Sequence, residues 1–172
     1  DKFNALHYSR VLAEIAGIMY YKSGRFHLKK AAQKQYKLHG IQTFFFPMLE
    51  VAISEYNWGY LDSFEQDVNL QHLWLFMLWR IQTHGNVNKV INEVITAFPD
   101  VLSELSPNDY FSPEQNLGIL IESRFMKRFL QYWGFITVNP TKYINNKPIP
   151  IKVDIQPMLI NTFQFTIQGA TT

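Results

Sequence analysis

Gly17–Lys30 reads GIMYYKSGRFHLKK, and the fold turns on what this stretch does after the residues before it. Ala5–Ala16 sets Leu6, Leu12, Ile15 and Ala16 near one face of a helix, and Gly17 stands where a helix C-terminal glycine belongs. Ile18–Tyr21 then reads as a strand, Lys22–Arg25 as a turn around Gly24, and Phe26–Leu28 as the returning strand. From Lys29 no breaker occurs before Gly40, so a second helix is expected there. The hairpin and this helix share one charge sign. Lys22, Arg25, Lys29, Lys30, Lys34 and Lys37 lie in a run with no acid between Glu14 and Glu50, with His27 and His39 beside them.

Outward from there the chain reads mainly as helix. Ile41, Phe44, Phe45, Met48, Ala52, Ile53 and Tyr56 keep helical spacing, with Pro47 as either a kink or the start of a fresh helix. Asn57–Asp67 is a loop rich enough in aromatics to pack. Leu70–Ile81 is apolar nearly all round, as in a helix central to a core. Asn86 is a candidate cap for a helix whose stripe is Val87, Val90, Ile91, Val94, Ile95 and Phe98, ended by Pro99. Ser106–Gln115 has the composition of a linker. Leu117–Trp133 is helical again, with Leu117, Leu120, Ile121, Phe125 and Phe129 inward and Gly134 closing it. Phe135–Val138 and Ile149–Asp154 read as strands around a polar turn, and Pro148 and Pro150 mark an edge.

The two ends repeat one another. Arg10–Tyr21 (RVLAEIAGIMYY) and Lys127–Val138 (KRFLQYWGFITV) align without gaps 117 residues apart, with Gly17 on Gly134 and Ile18 on Phe135. Only the glycine is identical; what recurs is the order helix, glycine, strand, turn, strand. That order resembles the second half of a winged-helix domain, a helix-turn-helix variant in which a recognition helix is followed by a two-stranded wing. The resemblance covers about 35 residues at the N-terminal end. At the C-terminal end Val87–Phe98 and Val101–Leu105 would supply the preceding helices. The whole resembles uncharacterised bacterial proteins with two such modules around a helical middle. It implies a predominantly α (α+β) chain: 1–40 a partial winged-helix-like module, 41–84 a helical middle, 85–172 a second module. The chain begins at Asp1 rather than Met, and elements preceding it are expected.

Composition narrows the chemistry. Apolar residues at 47% and aromatics at 16% argue for a packed chain and against disorder. With no cysteine, disulfides, thiolate metal sites and cysteine nucleophiles are excluded. The longest apolar run, Leu73–Trp79, is far shorter than the ~20 residues of a membrane span, so no membrane partner is expected, and a cytoplasmic location is compatible. The net charge of +2 hides a pattern: residues 1–49 balance at +6, 50–122 at −9 and 123–172 at +5. Such a layout steers polyanions to the ends or lets one copy dock on another.

The strongest functional feature is the basic run, because winged helices that bind DNA use wing Lys and Arg on phosphates and the recognition helix in the major groove. The nucleic-acid-binding candidates are Lys22, Arg25, Lys29, Lys30, Lys34 and Lys37 in the first module, and Arg124, Lys127 and Arg128 in the second recognition helix. Arg128 has a second reading, lying against aromatic neighbours. The first recognition helix offers only His7, Ser9 and Arg10 as base readers, and Glu14 would repel phosphate. Only Tyr20, Tyr21 and Phe26 are placed for base stacking; Phe44, Phe45, Phe46, Trp58, Trp74, Trp79 and Trp133 read as packing. Asp62, Glu65 and Asp67 lack the ligand spacing of a calcium loop and read as a solvated loop, with Asp67 or Asn69 capping the next helix. The five histidines have no metal spacing, and no G-x-S-x-G or phosphate loop occurs. The expectation is a non-enzymatic interaction module without cofactor or metal, its partner DNA or RNA. The alternative is a protein partner, or another copy of the chain, with no nucleic acid.

Overall fold

The helix that precedes the basic hairpin, α1 (Ala5–Ile15), is capped by the Asn4 side chain, which accepts from the His7 N–H. It ends as the glycine requires. Gly17 has φ +70°, its N–H donates to the Glu14 carbonyl, and the Ile18 N–H reaches back to Ala13 at 2.9 Å. The same bond pair recurs at the other end of the chain, where Gly134 (φ +72°) donates to Gln131 and Phe135 to Leu130 at 2.9 Å. In both places the residue after the glycine, Ile18 or Phe135, is buried. This is the Schellman closure, whose buried residue after the glycine fixes the direction in which the chain leaves the helix.

The computed structural model describes residues 4–62, 64, 68–106, 110–139, 143–144, 147–148 and 151–166. They are mostly helical, with three two-stranded antiparallel sheets. The chain divides into two units, Asp1–Asn57 and Trp58–Thr172. The division falls inside the segment 41–84 that the sequence reading treats as one middle. It leaves helix α3 (Phe45–Ser54) with the first unit and α4 (Trp74–His84) with the second.

In the first unit, β1 (Met19–Lys22) and β2 (Arg25–Leu28) pair in register Met19–Leu28, Tyr20–His27, Tyr21–Phe26 and Lys22–Arg25. Ser23 and Gly24 both have positive φ, 51° and 76°, which is the mirror-image two-residue turn that suits strand twist. Helix α2 (Lys30–His39) follows and stops at Gly40. A tighter turn, Ile41–Phe44, leads into α3, so Pro47 sits in a helical first turn, where its missing N–H costs nothing. Tyr8 and Leu12 of α1 and Leu49 and Ala52 of α3 are buried, and Tyr8 meets Tyr56 edge to face at 4.7 Å. The expected face of α1 is corrected: Leu6 is 82% exposed and Ile15 faces water too, because Tyr8 and Leu12, one turn apart, take the buried stripe. Phe46, expected as packing, is also exposed.

In the second unit α4 starts later than its apolar run suggests, after a tight turn at Gln71–Leu73. Asn86 accepts from the Lys89 N–H and caps α5 (Val87–Ala97), which buries Val87, Val90, Ile91 and Val94. Pro99–Glu104 forms a short tight helix. Within the expected linker Ser112 opens α6 (Pro113–Leu120) through a reciprocal cap with Gln115, so Ser106–Gln115 lies inside this unit and separates no domains. The helix continues through Ile121–Gln131 with the wider i→i+5 bonding of a π-helix. Trp58 stacks on Phe125 and Phe129 at 5.7 and 4.9 Å.

After Gly134, β3 (Ile136–Val138) pairs with the distant β6 (Val153–Ile155), while β4 (Tyr143–Ile144) and β5 (Lys147–Pro148) form a smaller hairpin between them. The strand entering β6 also meets the α4–α5 junction: Asn86 bridges Lys152, the Val87 N–H donates to Ile151, and Val153 donates to Gly85. Helix α7 (Pro157–Thr162) follows.

Candidate nucleic-acid interface

The basic run is presented to water in full. Lys22, Arg25, Lys29, Lys30, Lys34 and Lys37 are all exposed, and none forms an ion pair among the described residues. On α2, Lys30, Lys34 and Lys37 follow at helical spacing, opposite the buried Ala32. Lys29 precedes the helix without a side-chain cap, and its Nζ comes back to within 3.2 Å of the position a Cβ on Gly17 would occupy. Two features of this surface cost free energy in the isolated protein. Lys22 and Arg25 face each other directly across the strand pair, where like charges repel. Lys29 and Lys30 stand at the positive end of the α2 dipole, with no acid in its first turn.

The hairpin has two distinct faces. Tyr20 and His27 stack on one side, ring centroids 5.2 Å apart and 20° from parallel, with Lys22 and Arg25 beyond them toward the turn. Tyr21 and Phe26 occupy the other at 4.9 Å, where the Arg10 guanidinium lies 5.5 Å over the Phe26 ring. The polar residues of α1 are held within the unit: Ser9 donates to the Ala5 carbonyl, and Arg10 donates to Glu14 at 3.1 Å and contacts His7 Nδ1. The acid at Glu14 is thereby matched by its own helix.

The cations of the helix Ile121–Gln131 are arranged differently. Arg124 and Arg128, read from the sequence as surface candidates, are 3% and 8% exposed. Arg124 donates through Nε to Asp62 at 2.5 Å and through its terminal nitrogen to the Val68 carbonyl. Arg128 donates to the carbonyls of Trp58, Tyr60 and Leu61. Both guanidinium groups thus satisfy carbonyls of residues 58, 60, 61 and 68 and the acid at Asp62. Lys127 alone of the three is exposed. The neighbouring Glu122 carboxyl is pushed above its usual range by burial, against the opposing pull of Lys127.

Asp62 is likewise corrected from solvated loop to core: it is 2% exposed and also accepts from the Phe64 N–H. Glu65 and Asp67 lie outside the described residues, and Asn69 caps the turn at Gln71. No grouping of three metal-binding side chains occurs among the described residues, and no helix there is long and apolar enough to cross a membrane.

One polar cluster had no sequence signal. Arg80 on α4 grips Glu93 on α5 with two bonds of 2.8 and 2.7 Å, and His84 Nε2 adds a third at 3.0 Å. The Arg80 bond above all, with that of His84, lowers the Glu93 carboxyl to about 2 against the opposing effect of burial. His84 Nδ1 accepts from the Asn86 N–H, tying this cluster to the junction where the strand entering β6 attaches.

No protein-family model matches this chain, and no curated protein or solved structure matches it.

Proposed function

We propose that the protein is a non-enzymatic nucleic-acid-binding module whose contact surface is the basic face of the first unit. The observation that carries this is the exposure of all six cations from Lys22 to Lys37 without an ion pair among the described residues. Proteins usually intersperse charges of both signs; here no acid falls between Glu14 and Glu50. Repulsion between Lys22 and Arg25, and the placement of Lys29 and Lys30 against the α2 dipole, are both relieved by a phosphate backbone. The winged-helix-like reading of both ends belongs to the same proposal. It is supported by the repeated helix–glycine–strand passage and, in the second unit, by α5 and the short helix at Pro99–Glu104 ahead of α6. The burial of Arg124 and Arg128 moves the interface away from the second recognition helix.

The test is fluorescence anisotropy of a labelled random duplex at several salt concentrations. Six neutralised phosphates give a slope of log K against log salt of about −5. Lys29→Glu/Lys30→Glu should abolish binding at moderate salt. No binding of the wild-type chain at low salt would sink the proposal.

A second reading has its own support. Leu38, Ile41 and Phe46 of the first unit are 62%, 71% and 67% exposed, which suits a protein partner or a second copy. Size-exclusion chromatography with light scattering tests the second-copy form: a concentration-dependent dimer, lost in Ile41→Asp/Phe46→Asp, is its expected result.

A further inference from the structure

We propose that the hairpin β1–β2 is a base-stacking platform, so that the preferred ligand of the basic face is single-stranded nucleic acid rather than duplex. This rests on the nucleic-acid reading above and names its ligand class. The ground is the arrangement of rings and charges on one small ribbon. Tyr20 and His27 already form a near-parallel stack, Tyr20 is 42% exposed, and every residue of β2 is exposed. The ribbon therefore carries flat ring surface into water instead of into a core. Beside the stack, Lys22 and Arg25 converge across the strands, and Lys29 and Lys30 continue the positive charge into α2.

Wing contacts to a duplex need cations alone. A duplex hides the faces of its bases, so exposed rings gain nothing from it. A single strand offers every base face at a spacing that keeps a phosphate beside each ring. Aromatic platforms flanked by Lys and Arg bind such strands with little sequence preference. The opposite face also exposes rings, Tyr21 and Phe26, but Arg10 already lies over Phe26, and Lys22 and Arg25 stand on the Tyr20 side. The platform is thus assigned to Tyr20 and His27, with Lys22 and Arg25 as its phosphate contacts.

The experiment compares labelled oligo-dT, oligo-U and a duplex of matched length, titrated with the whole chain at one salt concentration. The expected result is tighter binding of both single strands than of duplex. Tyr20→Ala should weaken single-strand binding by about tenfold and leave duplex binding within about twofold, since stacking acts on unpaired bases alone. Tyr20→Trp should restore the preference, and circular dichroism should match wild type in both variants. Preference for only one of the two single strands would keep the platform and assign it to that nucleic acid. Equal binding of duplex and single strand, or a single-strand affinity untouched by Tyr20→Ala, would overturn the inference while leaving the broader reading intact. Failure to bind any of the three probes would remove both. Binding of polyglutamate as tight as that of oligo-dT would overturn the inference in favour of an acidic protein partner.

Discussion

The two groups of cations that the sequence makes look alike are put to opposite uses. Lys22, Arg25, Lys29, Lys30, Lys34 and Lys37 stand in water without ion pairs among the described residues, on a hairpin and on a helix stripe opposite Ala32. Arg124 and Arg128 sit at helical spacing on a segment with buried aromatic neighbours, and their donors are taken up by Trp58, Tyr60, Leu61, Asp62 and Val68. The difference lies in what needs the donors. A loop that buries Trp58, Asp62, Val68 and Leu70 must satisfy its backbone carbonyls away from water, and arginine, with its five donors in a planar fork, does that for several at once. Among the described residues of the first unit, Lys22, Lys29, Lys30, Lys34 and Lys37 are all exposed and bury no such donor.

Breaking the buried half of this comparison should have the largest effect. Arg124→Ala leaves Asp62 buried without its cation and the Val68 carbonyl without that donor, and is expected to cost about 3–5 kcal/mol in urea unfolding of the second unit. The joint replacement Asp62→Leu/Arg124→Met should restore much of the loss, because two well-packed apolar side chains can match a buried ion pair. Affinity for nucleic acid per folded molecule should not change in either variant. A folded Arg124 variant with weakened binding would break the comparison.

Glu93 gives the next effect. A carboxyl lowered to about 2 from an ordinary 4.5 binds its proton less readily folded than unfolded. Its contribution is therefore complete above pH 4.5 and is lost as pH falls toward about 2. Glu93→Gln is expected to cost roughly 2 kcal/mol at pH 7 and to flatten the acid limb of stability between those pH values, read from urea midpoints at pH 3 and pH 7.

On the exposed side the sign reverses. Lys29→Glu/Lys30→Glu should reduce the salt slope of nucleic-acid binding by about 2. It should also raise thermal stability slightly, by about 0.5 kcal/mol, because acids suit the N-terminus of α2. A surface kept for binding at a cost in stability behaves this way; a destabilised double variant would show the lysines to be structural. Smallest of all, Ser23→Asn should stabilise the hairpin by a few tenths of a kcal/mol, since asparagine tolerates the positive φ that serine adopts there. The binding curve should not move.

The local devices of the chain were legible in its sequence. Gly17, Gly40 and Gly134 all take positive φ at helix ends, Asn86 caps α5, and the Val87–Val94 stripe is buried as its period requires. Such features depend on φ/ψ limits and on spacing within a few residues, and both are written in the order of residues. The pairing of Gly17 with Gly134 is of the same kind. What only the tertiary structure decided were the partners of long side chains. Asp62 meets Arg124 across 62 positions, Arg128 reaches carbonyls some 70 positions away, and Arg80 finds Glu93 on the next helix. The boundary at Asn57, the solvent face of α1 and the wider turns of Ile121–Gln131 belong with them. Whether a charge or a methyl meets water depends on which distant segment comes to lie over it, and helical spacing along one element carries no record of that.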